Sequence, residues 1–426
     1  MARFLLSTMP SAGHVTPAQP LAAALVAAGH EVVWHTGAGR ADLVAATGAT
    51  LAPFDRTPTL EEVDPQESDG RRGLGAVNTM LRKLLVDRAA GQLADYQAIL
   101  ANFPADVVLA DLCCLGAAMQ HELGGPPWAV LNVTALTGVC PDEAPWGSGG
   151  QPATSAFARA RNRAINWLGY HVALRPVTAA YNQVRREVGL PVLRPGRTVF
   201  DEVISPYLQL QPSTTAFEYP RSLPRQVHLV GPLLPPAPAD FEPPPWWDEM
   251  LRAERVVHVT QGTTATDPRQ LALPAIEALA DSSALVVVTV PNASGWGALP
   301  ANVRTADYVP YPLLLPHVDV MVTNAGYGGV HYALSAGVPI VAAGHTGDQP
   351  EVCARIAWTG AGIWLKTPQP TPGQLREAVT QVLTDPSYRR SAVRVQHDFA
   401  AAPGAPAAVD LLTRLAETRQ SAAEVG

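Results

Sequence analysis

Short apolar runs alternate with longer amphipathic segments along most of this chain. The first run, Arg3 to Ser7, predicts a buried strand, and Glu31 to Thr36 predicts a second one. Between them we expect a helix that begins near Pro17, behind Thr16 as N-cap, and ends at Gly29. This strand–helix–strand order predicts a parallel sheet with functional residues at the carboxyl ends of its strands.

The same pattern returns in the second half, after the proline-rich stretch GPLLPPAPADFEPPP (231–245) that excludes regular structure. Four apolar runs there predict strands: Val256 to Thr260, Leu285 to Val290, Val318 to Thr323 and Pro339 to Ala343. We therefore predict an α/β protein with two Rossmann-like, doubly wound parallel-sheet domains that face each other across a cleft. The expected divisions are an N-terminal domain (1–230), a linker (231–247), a C-terminal domain (248–402) and a final helix (403–426) that packs back on the N-terminal domain.

A glycine turn lies between a predicted strand and helix in the stretch VTNAGYGGVHYAL, with glycines at 326, 328 and 329. Such a turn lets backbone N–H groups approach an anion, and the positive end of the helix dipole, about half a charge, favours it. A turn that needs glycine only for tight packing explains the spacing equally well.

Composition narrows the classes of partner. The chain has 426 residues and a net charge of −7, so nucleic acid is not expected as a main partner, and no basic run favours an acidic membrane surface. The apolar patch Phe4 to Leu6 is too short for a signal peptide or a membrane-spanning helix. We expect a reduced, cytoplasmic protein because the four cysteines lack metal-ligand spacing: Cys113, Cys114, Cys140 and Cys353.

Several motifs in a fixed order carry a family resemblance: SAGHVTP (11–17), VTQGTT (259–264), YVPYPLLLP (308–316), NAGYGG (324–329), AGVPIVAAG (336–344) and GDQPE (347–351). Together they resemble the inverting nucleotide-sugar glycosyltransferases of the GT-B fold, in particular those that glycosylate bacterial natural products such as macrolides. The resemblance spans nearly the whole chain and is weakest near residues 55–100 and 134–224.

The resemblance implies a donor site in the C-terminal half, formed by Thr263, Tyr308, Val309, Asn324, Gly326, Gly328, Gly329, Val330, Asp348 and Gln349. In the family, the ring at Tyr308 stacks on the nucleotide base and the backbone at Val309 reads the base edge. Asp348 and Gln349 match the pair that binds sugar hydroxyls. The others are expected to hold the diphosphate, so that neither a metal nor another cofactor is needed.

The catalytic residues implied by the resemblance lie in the N-terminal half. His14, in the loop after the first strand, matches the general base, and Asp111, at the end of a buried strand, matches the carboxylate that orients it. Three aromatic residues are candidates for the wall of an acceptor pocket, although ordinary packing explains them equally well: Trp146, Trp167 and Tyr170.

Four positions depart from the usual family residues. Asn324 replaces the usual His, Tyr332 replaces Glu, Val352 replaces Asn and Tyr311 replaces Gln. These changes leave open a catalytically silent homologue that assists a partner enzyme, and a sugar-nucleotide epimerase or hydrolase on the same fold is a further alternative. The sequence does not choose between UDP and TDP donors.

The expected reaction transfers a hexose or deoxyhexose from a UDP- or TDP-sugar to a hydroxyl of a small lipophilic acceptor, with inversion at the anomeric carbon. The donor is a substrate and not a cofactor. We expect a monomer or a homodimer.

Overall fold

The computed structural model describes residues 1–59, 73–140, 142–261, 267–293 and 296–421. These residues form two parallel sheets, one of seven strands and one of six, with helices between most successive strands. The predicted fold class, two doubly wound α/β domains, is confirmed.

The first sheet contains β1 (Arg3–Ser7), β2 (Glu31–Thr36), β3 (Thr50–Pro53), β4 (Val107–Asp111), β5 (Trp128–Leu131), β6 (Leu208–Gln211) and β7 (Val227–Leu229). Its helices are α1 (Ala12–Ala27), α2 (Ala41–Ala46), α3 (Leu74–Leu81), α4 (Ala89–Asn102), α5 (Gly116–Glu122), α6 (Ala156–Leu168) and α7 (Arg175–Glu187). Short π-helical segments follow α3 at Arg82–Val86 and α6 at Gly169–Ala173.

Residues 231–246, the linker, form no helix or strand, and the second domain starts after them with α8 (Trp247–Arg252). Its strands are β8 (Val256–Thr260), β9 (Leu285–Thr289), β10 (Val303–Ala306), β11 (Val320–Thr323), β12 (Ile340–Ala342) and β13 (Gly362–Trp364). Its helices are α9 (Ala272–Leu279), α10 (Tyr311–Leu314), α11 (Tyr327–Ser335), α12 (Gln349–Thr359), α13 (Pro372–Thr384), α14 (Pro386–Ala401) and α15 (Ala405–Thr418).

The strand order of each sheet reverses once, and both reversals mark the cleft. The order is β3-β2-β1-β4-β5-β6-β7 in the first sheet and β10-β9-β8-β11-β12-β13 in the second. The loops that follow β1 and β4, and those that follow β8 and β11, therefore diverge at the carboxyl edges, which is where ligands of open α/β sheets bind.

Helix α1 begins earlier than the sequence predicted. It starts at Ala12 and contains both Pro17 and Pro20, so the expected start near Pro17 is wrong. Burial of one apolar face, including Leu21 and Leu25, outweighs the helix bonds that the two prolines cannot make. As a result, His14 lies in the first turn of a helix and not in a loop.

Each core includes a segment that lies on the other side of the linker in the sequence. Leu412 of α15 is fully buried in the cluster that contains Phe4 and Leu21 of the N-terminal domain. Conversely, Phe217, from the segment after β6, packs with Met321 in the C-terminal core. Each domain thus contributes chain to the core of the other.

No helix among the described residues is long and apolar enough to cross a bilayer.

We predict that Leu412→Ala destabilises the N-terminal domain by about 2–5 kcal/mol, since it removes a buried side chain from that core. Chemical denaturation followed by circular dichroism measures this change. The matched control is Glu417→Ala on the exposed face of the same helix, for which we expect a change within about 0.5 kcal/mol. Equal stability of the two variants would show that α15 does not complete the N-terminal core.

Candidate active site

A histidine and an aspartate meet at the carboxyl edge of the N-terminal sheet. The Nδ1 atom of His14 lies 2.8 Å from Oδ2 of Asp111, and the His14 side chain is 18% exposed whereas the Asp111 side chain is fully buried. The same Asp111 oxygen accepts the N–H of Met9 at 2.6 Å, and its Oδ1 accepts the N–H of Cys113 at 2.8 Å. The aspartate is therefore fixed by backbone donors and in turn fixes the imidazole.

The electrostatics of Asp111 suit this role. Burial raises the pKa of this carboxyl, but the His14 ring and the Met9 and Cys113 amides outweigh burial, and the pKa lies below its ordinary value. Asp111 therefore remains ionised near neutral pH. A carboxylate at Nδ1 leaves Nε2 of His14 as the nitrogen that can take a proton and favours the imidazolium that forms.

The glycine turn of the C-terminal domain forms the start of α11. Gly326 is the extended N-cap residue. A Cβ added to Gly326 or Gly328 would meet no atom of the described residues within 4 Å, so open space adjoins these amides in that part of the chain. The N–H of Val330 donates to the Gly326 carbonyl, and we therefore correct its expected role: its amide is not available to a ligand. The donors at this helix start are the amides of Tyr327, Gly328 and Gly329.

The residue before this turn has a strained backbone. Ala325 is fully buried and has a φ of 61°, a left-handed conformation that is uncommon for a residue with a side chain. Next to it, Oδ1 of Asn324 is buried and has no hydrogen-bond partner among the described residues. Strain and an unpaired polar atom at one turn are typical of a ligand site.

Asp348 and Gln349 lie at the start of α12, on the same edge of the sheet. Oδ2 of Asp348 accepts the hydroxyl of Thr134, from the segment after β5, at 2.5 Å. Burial raises the pKa of Asp348, while this hydrogen bond and the nearby His14 ring oppose the rise. Asp348 thus lies at the junction between the His14 side of the cleft and the α11 side.

A polar cavity of about 280 Å³ adjoins this junction. The side-chain Oε1 of Gln349 accepts the N–H groups of His345 and Thr346, so the preceding loop fixes this side chain. Its Nε2 remains the group that can donate to a ligand. Several hydrogen-bonding side chains line the cavity: Gln261, Asp267, Gln270, Asn324, His345 and Gln349.

The other predicted donor residues differ in exposure. The side chain of Tyr308, just after β10, is 71% exposed, so its ring is available for stacking and does not pack in the core. Val309 is buried in the C-terminal core, which leaves its backbone as the group that can contact a ligand. Thr263 lies outside the described residues.

The chain is similar to several known proteins. The model of the erythromycin biosynthesis protein CIII-like C-terminal domain matches residues 272–415. A 4'-demethylrebeccamycin synthase from Lentzea aerocolonigenes is 41% identical over 422 residues, which cover 97% of this chain and 99% of that protein. UDP-glucosyltransferase A1 from Starmerella bombicola is 29% identical over 419 residues, or 92% of this chain and 87% of that protein.

A solved structure shows the same fold. The glycosyltransferase of kitacinnamycin superposes with a TM-score of 0.75 at 22% identity, over 97% of this chain and 98% of that one. The chain belongs to the family of GT-B glycosyltransferases. The family resemblance predicted from the ordered motifs is confirmed.

The glycosyltransferase uses one of its unusual residues for a different contact. The hydroxyl of Tyr332, which replaces the usual Glu, donates to the carbonyl of Pro235 in the linker at 3.1 Å. The Tyr332 ring also lies 5.5 Å from the ring of Tyr311. Tyr332 therefore connects α11 to the linker through a hydrogen bond. Its hydroxyl does not replace the carboxylate that the usual Glu would offer to a ribose.

The three aromatic residues expected to bind the acceptor have different surroundings. Trp146 packs against a large cluster of buried residues whose members include Met9 and Cys113. The ring of Tyr170 lies 5.1 Å from that of Phe200. Trp167 is 58% exposed on α6. Among the three, Trp146 is the one that shares a cluster with Met9 and Cys113, whose amides bind Asp111.

Within the described part of the glycosyltransferase, one group of metal-ligand atoms lies close enough to hold an ion. These atoms belong to His14, Asp111 and Cys113 and lie within 4.8 Å of one another. Burial, together with the neighbouring Asp111, raises the pKa of the Cys113 thiol well above its ordinary value, so the thiolate that a metal needs is disfavoured. Because Asp111 already accepts three N–H groups, an ion would have to displace the proton that it shares with His14.

A second His–Asp pair lies deeper in the same domain and was missed from the sequence. The ring of His35 contacts the hydroxyl of Ser7 at 3.0 Å and a carboxylate oxygen of Asp95 at 3.1 Å. Although these residue types resemble a hydrolytic triad, Ser7 and His35 are fully buried, and a substrate cannot reach them. This network supports β1 and β2 beneath the active site.

We predict that Gly328→Ala weakens binding of UDP or TDP by at least about tenfold, because the new methyl group occupies the open space beside the helix amides. Its stability should be unchanged or higher by up to about 1 kcal/mol, since alanine favours a helix. Isothermal titration calorimetry and thermal denaturation provide the two measurements. Gly373→Ala, at the same position of α13, is the matched control; equal affinity of both variants would place the diphosphate elsewhere.

Proposed function

We propose that this glycosyltransferase transfers a hexose or deoxyhexose from a UDP- or TDP-sugar to a hydroxyl of a small lipophilic natural product, with inversion at the anomeric carbon. His14 acts as the general base, and Asp111 orients it. The amides at the start of α11 hold the diphosphate of the donor.

A single observation carries this proposal: a carboxylate-oriented imidazole and an open helix start belong to sheet edges that a direct hydrogen bond joins. That bond joins Thr134 of the N-terminal domain to Asp348 of the C-terminal domain at 2.5 Å. The influence of His14 on the pKa of Asp348 supports a short gap between the base and the donor side. An acceptor between the two domains would contact both.

The proposed reaction is one displacement. Nε2 of His14 takes the proton of the acceptor hydroxyl while that oxygen forms a bond to C1 of an α-linked nucleotide sugar. The bond between C1 and the diphosphate oxygen breaks on the opposite face, its electron pair leaves with the diphosphate, and the product is a β-glycoside. Asp111 stabilises the imidazolium, which then loses its proton to water.

The leaving group acquires negative charge, and the helix start provides donors for it. The amides of Tyr327, Gly328 and Gly329 do not need to reorient during the reaction, and the α11 dipole adds to their effect. The amide of Asn324, which replaces an imidazole in other family members, can donate as well. These fixed donors support transfer that is independent of a metal ion.

Two relatives bear on the choice of substrates. The Lentzea relative is named for the synthesis of 4'-demethylrebeccamycin, which supports a natural product as acceptor, and the Starmerella relative is named a UDP-glucosyltransferase, which supports a UDP-linked hexose as donor. The cavity lined by amide, imidazole and carboxylate side chains supports a sugar with several hydroxyl groups.

We predict that His14→Ala lowers kcat by about 10²–10⁴-fold for an alcohol or phenol acceptor, because the base that takes the hydroxyl proton is lost. Steady-state kinetics with a panel of UDP- and TDP-hexoses and a flat phenolic acceptor measures the effect, and the coupling constant of the anomeric proton assigns the product as α or β. Donor alone is the control, since an epimerase or hydrolase would consume it. Turnover by His14→Ala at the wild-type rate, or an α-linked product, would contradict the proposal.

We predict that Tyr308→Ala raises the donor KM by about 5- to 150-fold, which corresponds to the loss of about 1–3 kcal/mol of base stacking. The acceptor KM should not change, because Tyr308 lies on the donor side of the sheet. Tyr308→Phe is the matched control and should keep wild-type constants, since it retains the aromatic face. An unchanged donor KM in Tyr308→Ala would show that the base binds elsewhere.

A further inference from the structure

A loop of the N-terminal domain crosses the cleft and binds the C-terminal domain through two glycines. The N–H groups of Gly147 and Gly149 both donate to Oε1 of Glu351, each at 3.0 Å. The φ angles of the two glycines are 81° and 60°, which residues with side chains rarely adopt. A Cβ at Gly149 would collide with the ring of Trp364 and the carbonyl of Pro350, so the loop (residues 145–150) fits this surface only with glycine.

The carboxylate that receives this loop is itself held in place. Glu351 is 4% exposed in the first turn of α12, and its Oε2 lies 3.8 Å from Nη1 of Arg355 in the next turn. Arg355 donates from Nη2 to the carbonyl of Leu136 at 2.6 Å and from Nε to Glu218 at 2.8 Å. Glu351 therefore belongs to a rigid, buried group that joins the domains.

The loop also carries Trp146, one of the aromatic candidates for the acceptor pocket. Trp146 directly precedes Gly147 and packs with the cluster that contains Met9 and Cys113. The backbone amides of Met9 and Cys113 are the ones that fix Asp111. The position of the Trp146 ring against this cluster, which includes the residues that fix Asp111, thus depends on where the loop is anchored.

The helix that anchors the loop also faces the donor. Asp348, Gln349 and Glu351 all lie in the first turn of α12. In the proposed function, this turn binds the donor through Asp348 and Gln349 and holds the loop of the acceptor side through Glu351. We propose that Glu351 is a positioning residue for the acceptor: its carboxylate holds the 145–150 loop, and thereby Trp146, against the reaction centre. This inference rests on the proposed function, and it assigns to the C-terminal domain a part in forming the acceptor pocket.

Glu351→Ala tests the proposal. We expect the acceptor KM to rise by about tenfold or more, because two hydrogen bonds to a charged oxygen are lost, and the donor KM to stay within about twofold. Hydrogen–deuterium exchange of the loop amides should become faster, since the loop loses its anchor. Glu351→Gln keeps an acceptor oxygen and should recover most of both properties.

Two further variants make the result specific. Gly149→Ala leaves Glu351 in place but drives the loop off the surface, so it should reproduce the raised acceptor KM and the faster exchange. Glu377→Ala, an exposed glutamate on α13, is the matched control and should leave both unchanged. The melting temperature of Glu351→Ala shows whether that variant folds. If it does not, Gly149→Ala still tests whether the position of the loop sets the acceptor KM.

Two outcomes would overturn the proposal. Unchanged loop exchange in Glu351→Ala would show that the carboxylate does not hold the loop, and equal rises in donor and acceptor KM would show a general effect on α12. Loop exchange is independent of turnover. If the wild-type protein transferred no sugar at all, the proposed function would fail, while faster exchange in Glu351→Ala would still show that the carboxylate anchors the loop.

Discussion

A buried ion pair fixes how the two domains face each other. Arg355 of α12 and Glu218 of the segment after β6 are 1% and 2% exposed, with 2.8 Å between Nε and Oε2. Desolvation makes such a pair a weak source of stability, whereas removal of one partner typically costs about 3–5 kcal/mol. Its main effect is therefore specificity: one relative position of the domains satisfies both charges, and that position also satisfies the backbone N–H and carbonyl of Leu136.

The proposed chemistry follows from this arrangement because each domain supplies only half of it. The N-terminal sheet presents an imidazole whose partner, Asp111, stays ionised, and the C-terminal sheet presents the unoccupied amides at the start of α11. Neither half is unusual alone. Their separation is set by the contact between Thr134 and Asp348 at 2.5 Å, so a change in domain docking would alter the distance between base and donor. In such a site, small errors in position reduce the rate strongly.

The sequence was sufficient for the features that depend on local pattern. Strands β1, β2, β8, β9, β11 and β12 and the two-domain fold were predicted because buried strands have a clear apolar pattern. The pairing of His14 with Asp111 came from the family resemblance. Local pattern misplaced the start of α1, since tertiary burial outweighed two prolines. The family resemblance assigned a ligand to the Val330 amide, which the helix itself uses. Glu351 was missed because its partners, Gly147 and Gly149, are about two hundred residues away along the chain.

The most direct measurement is a crystal structure of the protein with UDP or TDP and a nonreactive acceptor analogue. The account predicts diphosphate oxygens within about 3.2 Å of the Gly328 and Gly329 amide nitrogens, and the acceptor hydroxyl within the same distance of Nε2 of His14. A diphosphate bound away from the start of α11, or a His14 ring directed away from the gap between the domains, would contradict it.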